Sequence, residues 1–144
     1  MDKLENVISD LKRASLYETE PMYVTDQNRF INSAVSGFYP GDGDLQFARR
    51  LLAAVQKIEK HFGRDRSRER RWGERYLDID ILLFGNLTVK EADLEIPHPR
   101  LKERRFALEP LLELLPEAKE PGTGRFYKNY LRVLPDHSRV VRFA

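Results

Sequence analysis

Asp78 and Asp80 stand two residues apart in Leu77-Asp78-Ile79-Asp80-Ile81-Leu82-Leu83-Phe84. In an extended chain the side-chain period is two, so both carboxylates emerge on one face, about 7 Å apart along the chain. Leu77, Ile79, Ile81 and Leu83 take the other face, which is purely aliphatic. Two acids this close repel, so something positive has to sit between them. Mg²⁺ suits that place, because it takes one or two carboxylates and completes its shell with phosphate oxygens and water. Pairing with Arg64, Arg66 or Arg75 would satisfy the charges equally well, and the strand pattern does not separate the two readings. The stretch 64–75 leading into the acids holds six arginines against three acidic residues. A guanidinium fork grips phosphate oxygens bidentately, although charge runs are also common as solvated faces. Acids that hold a divalent ion beside guanidinium groups that hold phosphate are the parts needed for moving phosphoryl groups.

Two further residues stand out. Trp72, the one tryptophan, lies inside the polar loop rather than in an apolar stripe; it either anchors the loop or closes over a ligand. His98 is held between Pro97 and Pro99, which restrict the backbone on both sides. Such a histidine serves as a hydrogen-bonded core residue or as a phosphate contact. Neither Gly-x-x-x-x-Gly-Lys-Ser/Thr nor Gly-x-Gly-x-x-Gly occurs, which excludes a P-loop and a dinucleotide-binding Rossmann domain.

The elements that must position these residues follow from periodicity. Leu4, Val7, Ile8 and Leu11 fall at i, i+3, i+4 and i+7, so 2–14 reads as an amphipathic helix. Ser15 to Thr19 starts an extended segment, and Glu20-Pro21 with Thr25–Asn28 marks a polar loop. Residues 30–39 alternate as a strand that Pro40-Gly41-Asp42-Gly43 ends. Asp44 is set to cap a long helix whose core face carries Leu45, Ala48, Leu51, Leu52, Val55, Ile58 and Phe62. The acidic strand then runs over 77–84 into a Gly85-Asn86 turn, with 87–89 as the returning arm of a hairpin. Helices are expected over 106–115, interrupted or restarted at Pro110, and over 129–134, with a last β-like stretch at 140–143. Strands alternating with helices indicate an α/β or α+β sandwich.

Composition narrows the class. The 144 residues are 41% hydrophobic and 33% charged with a net charge of +2, which fits one domain spanning 1–144 and says little about partners. Absence of cysteine excludes disulfide and thiolate chemistry and fits a reducing cytoplasm. No apolar run nears the length of a membrane span, and no signal peptide opens the chain. A cytoplasmic protein with no membrane partner is the expectation.

The residues together resemble the 6-hydroxymethyl-7,8-dihydropterin pyrophosphokinase family of folate biosynthesis. Its signature Arg-Trp-Gly-x-Arg-x-Leu-Asp-x-Asp-Ile-x-Leu-Phe-Gly is matched throughout by 71–85. Tyr17-Glu18-Thr19-Glu20-Pro21, Phe30-Ile31-Asn32 and Gln56-Lys57-Ile58-Glu59 precede it in the family's order. Ile96-Pro97-His98-Pro99-Arg100 and Arg104-Arg105-Phe106-Ala107-Leu108-Glu109-Pro110-Leu111 follow, so the resemblance covers 2–118.

The resemblance implies a ferredoxin-like three-layer α-β-α sandwich that transfers pyrophosphate from ATP to the pterin hydroxymethyl group and releases AMP, with two Mg²⁺ ions. By the same resemblance Asp78 and Asp80 bind the metals, and Arg64 and Arg75 act on the transferring phosphates. Gln56, Glu59, Arg66, Trp72, Ile81, His98 and Arg104 lie on the ATP side. Phe30 and Phe106 stack the pterin, with Asn32, Thr19 and Pro21 around its polar edge. One extra residue in the arginine loop leaves Arg66, Arg68 and Arg70 less firmly matched. Family members open with a strand ending in Gly-Ser-Asn, and Met1–Asn6 matches the loop after it. The usual first strand is therefore expected to be missing; a monomer is expected, with a dimer through the open sheet edge as the alternative if that N-terminus is genuine. A pterin-binding paralogue without turnover and a ferredoxin-like RNA-binding module are the competing readings. Against the module, Asp78 and Asp80 would repel a nucleic-acid backbone.

Overall fold

The computed structural model describes residues 4–19, 30–41, 43–63, 78–135 and 140–142, and they make an α+β protein. Its strands are β1 (Ser9–Arg13), β2 (Tyr17–Thr19), β3 (Phe30–Asn32), β4 (Val35–Phe38), β5 (Val89–Glu91), β6 (Leu94–Ile96) and β7 (Val140–Arg142). Its α-helices are α1 (Leu45–Gly63), α2 (Arg105–Leu114) and α3 (Tyr127–Val133). The described strands form three small sheets: β1 with β4, β3-β2-β7 with β2 central, and β5 with β6. The chain divides into two compact units, one of Met1–Ser9 and Phe38–His98, the other of Asp10–Gly37 and Pro99–Ala144.

The helix expected over 2–14 does not form. A single 3₁₀ turn at Leu4–Asn6 is closed by Val7 and Ile8 N–H groups on the Leu4 carbonyl, at 2.9 Å each. Asp10 then takes a left-handed φ of 51°, which a right-handed helix cannot contain. Strand pairing with β4 prevails over the helical spacing of four apolar residues. The strand expected over 30–39 is likewise split at Ser33 and Ala34 into β3 and β4.

In the first unit Asp44 caps α1 as expected, its carboxylate accepting from the Phe47 N–H at 3.2 Å. The turn before it needs glycine at position 41: φ is +128°, and a Cβ there would lie 2.3 Å from the Phe47 ring. Ala48, Val55 and Ile58 of α1 are buried, whereas Phe62 at the end of the expected core face is exposed. Ala48 meets Val89, Leu94 and Ile96 in the core, with Leu45, Leu52, Ile81, Phe84 and Leu87 packed around them. Arg49 adds ion pairs from α1 to Glu91 and to Asp93, the latter at 3.0 Å.

The hairpin forms one step later than the pattern suggests. The Gly85-Asn86 turn closes with the Leu87 N–H on the Phe84 carbonyl at 3.1 Å. Residues 89–91 then pair forward with 94–96, in the register Val89↔Ile96 and Glu91↔Leu94. That register brings Val89, Leu94 and Ile96 inward together, and burial of one face is what specifies register. Residues 78–84 carry no strand ladder. Among the described residues, their backbone bonds include one to a side chain and one to a connector.

In the second unit β2 pairs antiparallel with β3, as Tyr17↔Asn32 and Thr19↔Phe30, and with β7, as Tyr17↔Arg142 and Thr19↔Val140. Helix α2 packs on β2 and β3 and against α3. It runs unbroken through Pro110. The proline removes one backbone donor, but it is fully buried between Leu108 and Leu111, which are buried as well.

Candidate functional site

The acidic segment of the first unit is held from two sides. Glu59, in the last turns of α1, accepts the Ile79 N–H on Oε2 at 2.7 Å, between the two acids in sequence. On the other side the His98 N–H donates to the Leu82 carbonyl at 3.0 Å. Leu82 is two residues beyond Asp80, and His98 Nε2 stands 3.8 Å from Asp80 Oδ2. That is ion-pair distance for a protonated imidazole and too long for a hydrogen bond. Asp78 and Asp80 are exposed while Ile79 is half-buried, so the alternation expected of an extended chain holds without a ladder. Gln56 lies three residues before Glu59, next to it on the surface of α1. Ile81 packs on the core cluster.

Among the described residues no group of three or more acids or histidines is placed to enclose an ion. Asp78 and Asp80 are instead hard oxygen donors on an open surface. Such a donor set fits Mg²⁺, which binds through one or two carboxylates and leaves its other positions to phosphate and water.

The second unit holds the other group of expected residues. Arg104 is the extended residue that opens α2, with φ −118° and ψ 107°. Its guanidinium lies over the Phe106 ring, 5.4 Å from the centroid. Arg104 and Phe106, expected on the ATP and pterin sides respectively, are therefore in contact. Asn32 is half-buried on β3, and Thr19 and Phe30 are paired through their backbones two register positions on. Arg64, Arg66, Trp72, Arg75 and Pro21 lie outside the described residues.

Sequence reasoning missed Glu113. Its carboxylate accepts the Ser15 N–H at 3.0 and 2.9 Å, the Ser15 hydroxyl at 3.0 Å and the Tyr17 hydroxyl at 2.7 Å. Arg142 of β7 is 3.9 Å away and donates through Nε to Ser15 Oγ at 2.9 Å. The Tyr17 hydrogen bond, against the opposing push of burial, and the Ser15 donors hold the Glu113 carboxyl below its usual range. Burial, then the bond to Glu113, pushes the Tyr17 phenol up to about 12. A charged residue inside the apolar run Leu111-Leu112-Glu113-Leu114-Leu115 was the available signal. A buried carboxylate, Glu120, accepts from Lys102 at 2.8 Å, Thr123 at 2.7 Å and Tyr130 at 2.8 Å. Burial pushes its pKa up, but these donors prevail and leave it lowered.

The chain is similar to known proteins over most of its length. A family model described as 7,8-dihydro-6-hydroxymethylpterin-pyrophosphokinase matches residues 1–116. A Bacillus subtilis 2-amino-4-hydroxy-6-hydroxymethyldihydropteridine pyrophosphokinase is 39% identical over 137 residues, covering 92% of this chain and 76% of that protein. A mitochondrial folate synthesis bifunctional protein from Pisum sativum is 44% identical over 113 residues, 78% of this chain and 20% of the relative. The Pneumocystis carinii folic acid synthesis protein fol1 is 35% identical over 133 residues, 90% of this chain and 17% of the relative. The chain thus spans about a fifth of the length of these two larger relatives. Matched over four-fifths of its length, the chain belongs to the 7,8-dihydro-6-hydroxymethylpterin-pyrophosphokinase family.

Proposed function

We propose that this chain is a Mg²⁺-dependent pyrophosphokinase that transfers the β,γ-diphosphoryl group of ATP to the hydroxymethyl oxygen of 6-hydroxymethyl-7,8-dihydropterin. The pterin oxygen forms a bond to the β-phosphorus, the bond from that phosphorus to the α,β-bridging oxygen breaks, and AMP leaves. The hydroxyl proton passes to solvent, and no side chain is assigned as general base. The observation that carries this reading is the pair Asp78 and Asp80, fastened through Ile79 to Glu59 and flanked by His98. Transfer of this kind demands positioning and charge neutralisation more than covalent work from the protein.

Asp78 and Asp80 would hold two Mg²⁺ ions, whose chemistry is to neutralise phosphate charge and polarise the β-phosphorus. Arg64 and Arg75 supply further positive charge to the transferring group. Gln56, Arg66, Trp72, Ile81, His98 and Arg104 form the ATP side, and Glu59 holds the acidic backbone in place. Thr19, Pro21, Phe30, Asn32 and Phe106 hold the pterin, a flat ring suited to aromatic faces and a few hydrogen bonds. We further propose a ferredoxin-like sandwich, a single domain over 1–144 and a cytoplasmic monomer, with a dimer through an open sheet edge as the alternative.

Omission of each component from an assay of AMP release tests the reading. AMP should form only when ATP, Mg²⁺ and the reduced pterin are all present. Pterin binding without turnover would point to an inactive paralogue, and metal-independent, salt-sensitive RNA binding to a nucleic-acid module.

A further inference from the structure

Phe106 and Glu113 are seven residues apart on α2, so they project from the same side of the helix, two turns and about 10 Å apart. That side faces the sheet, because Glu113 bonds Ser15 and Tyr17 at the start of β2. On the sheet Tyr17 is paired with Asn32. Directly paired residues share a face, so the Tyr17 hydroxyl and the Asn32 amide both stand on the face that α2 covers. Ser33, next to Asn32, donates its hydroxyl to the Ala14 and Ser15 carbonyls at 3.1 Å each. The two strands are thereby fixed to one another beside the point where Glu113 grips them.

We infer that Glu113 is a positioning residue for the pterin side. It sets the distance and rotation of α2 against β2 and β3, and so the placement of Phe106 relative to Asn32. The inference rests on the pterin reading given above. A carboxylate with four hydrogen bonds into one strand start is a stiff joint; loss of its oxygen acceptors lets the Phe106 end of α2 drift. Misplacement of about 1 Å is enough to cost an enzyme two orders of magnitude.

Steady-state AMP release by the full chain, with each substrate varied in turn, tests this in Glu113→Ala, Glu113→Gln and Tyr17→Phe. Glu113→Ala and Tyr17→Phe should raise the pterin KM about tenfold and leave the ATP KM within about twofold. Glu113→Gln retains an oxygen acceptor and should recover most of the pterin affinity. A purely stabilising Glu113 would instead lower the active fraction and leave both KM values unchanged, which overturns the inference. So would a parallel rise in both. Tyr17→Phe removes one hydroxyl and keeps the ring, so it carries the test if Glu113→Ala fails to fold. A wild-type chain that releases no AMP with pterin defeats the pterin reading itself, and this inference with it; an active wild type with unmoved variants defeats the inference alone.

Discussion

At the scale of single residues, Asp80 and Glu59 have separable duties. Asp80 presents an exposed carboxylate beside His98, and Asp80→Ala should lower kcat about 10²–10³-fold, the usual cost of removing a group that stabilises transition-state charge. Glu59 acts through the backbone it holds. Glu59→Ala should cost about 10–100-fold in activity, as loss of a supporting partner behind a metal ligand does. Glu59→Gln, which keeps an oxygen for the Ile79 N–H, should cost less; equal losses in the two variants, read as kcat at saturating Mg²⁺, would contradict this division. The acid pair was legible in the sequence because a period of two announces itself locally. The partner of Glu59 was not, since a side chain bonding a backbone N–H twenty residues away leaves no periodic trace.

At the scale of elements, the joint between α2 and β2 makes stability depend on pH in a definite sense. The folded pKa of Glu113 is lowered, so its contribution is complete above the ordinary carboxylate value of 4.5 and is lost as pH falls through the lowered value. The folded pKa of Tyr17 is raised to about 12. Its contribution is complete below its ordinary value of 10.0 and is lost as pH rises toward the folded value. Tyr17→Phe should therefore cost about 1.5–3 kcal/mol near neutrality, the range for a hydrogen bond to a charged group. Urea midpoints of the variant and the wild type should draw together below pH 4 to 5, with unchanged m-values; a gap that stays constant down to pH 3 would refute the coupling. Elements with strong local signals were readable: α1 with its Asp44 cap, α2, and β7. The misread ones depended on partners far away in sequence. Residues 2–14 carry a helical spacing, yet Asp10 is left-handed and β4 supplies a ladder. Residues 78–84 alternate like a strand, yet among the described residues Ile79 is bonded to Glu59 and Leu82 to His98.

At the scale of the whole molecule, each compact unit has its own packed support. In the first, Ile81, next to Asp80, packs against the cluster of Ala48, Val89, Leu94 and Ile96. In the second, α2 packs on β2 and β3, and its Leu108 is completely buried. Leu108→Ala should destabilise the chain by about 2–5 kcal/mol, as large-to-small core changes do, and chemical denaturation measures it directly. A cost under about 0.5 kcal/mol would show that α2 contributes little to the fold. No helix among the described residues is long and apolar enough to cross a membrane. The central claim is attack at the β-phosphorus of ATP, and label transfer tests it most directly. With ATP labelled at the β-phosphate, the label should pass to the pterin in step with AMP, one for one, and should stay in ATP when Mg²⁺ is removed or Asp80 is replaced by alanine. Label recovered in ADP, or turnover that leaves the pterin unlabelled, would contradict the account.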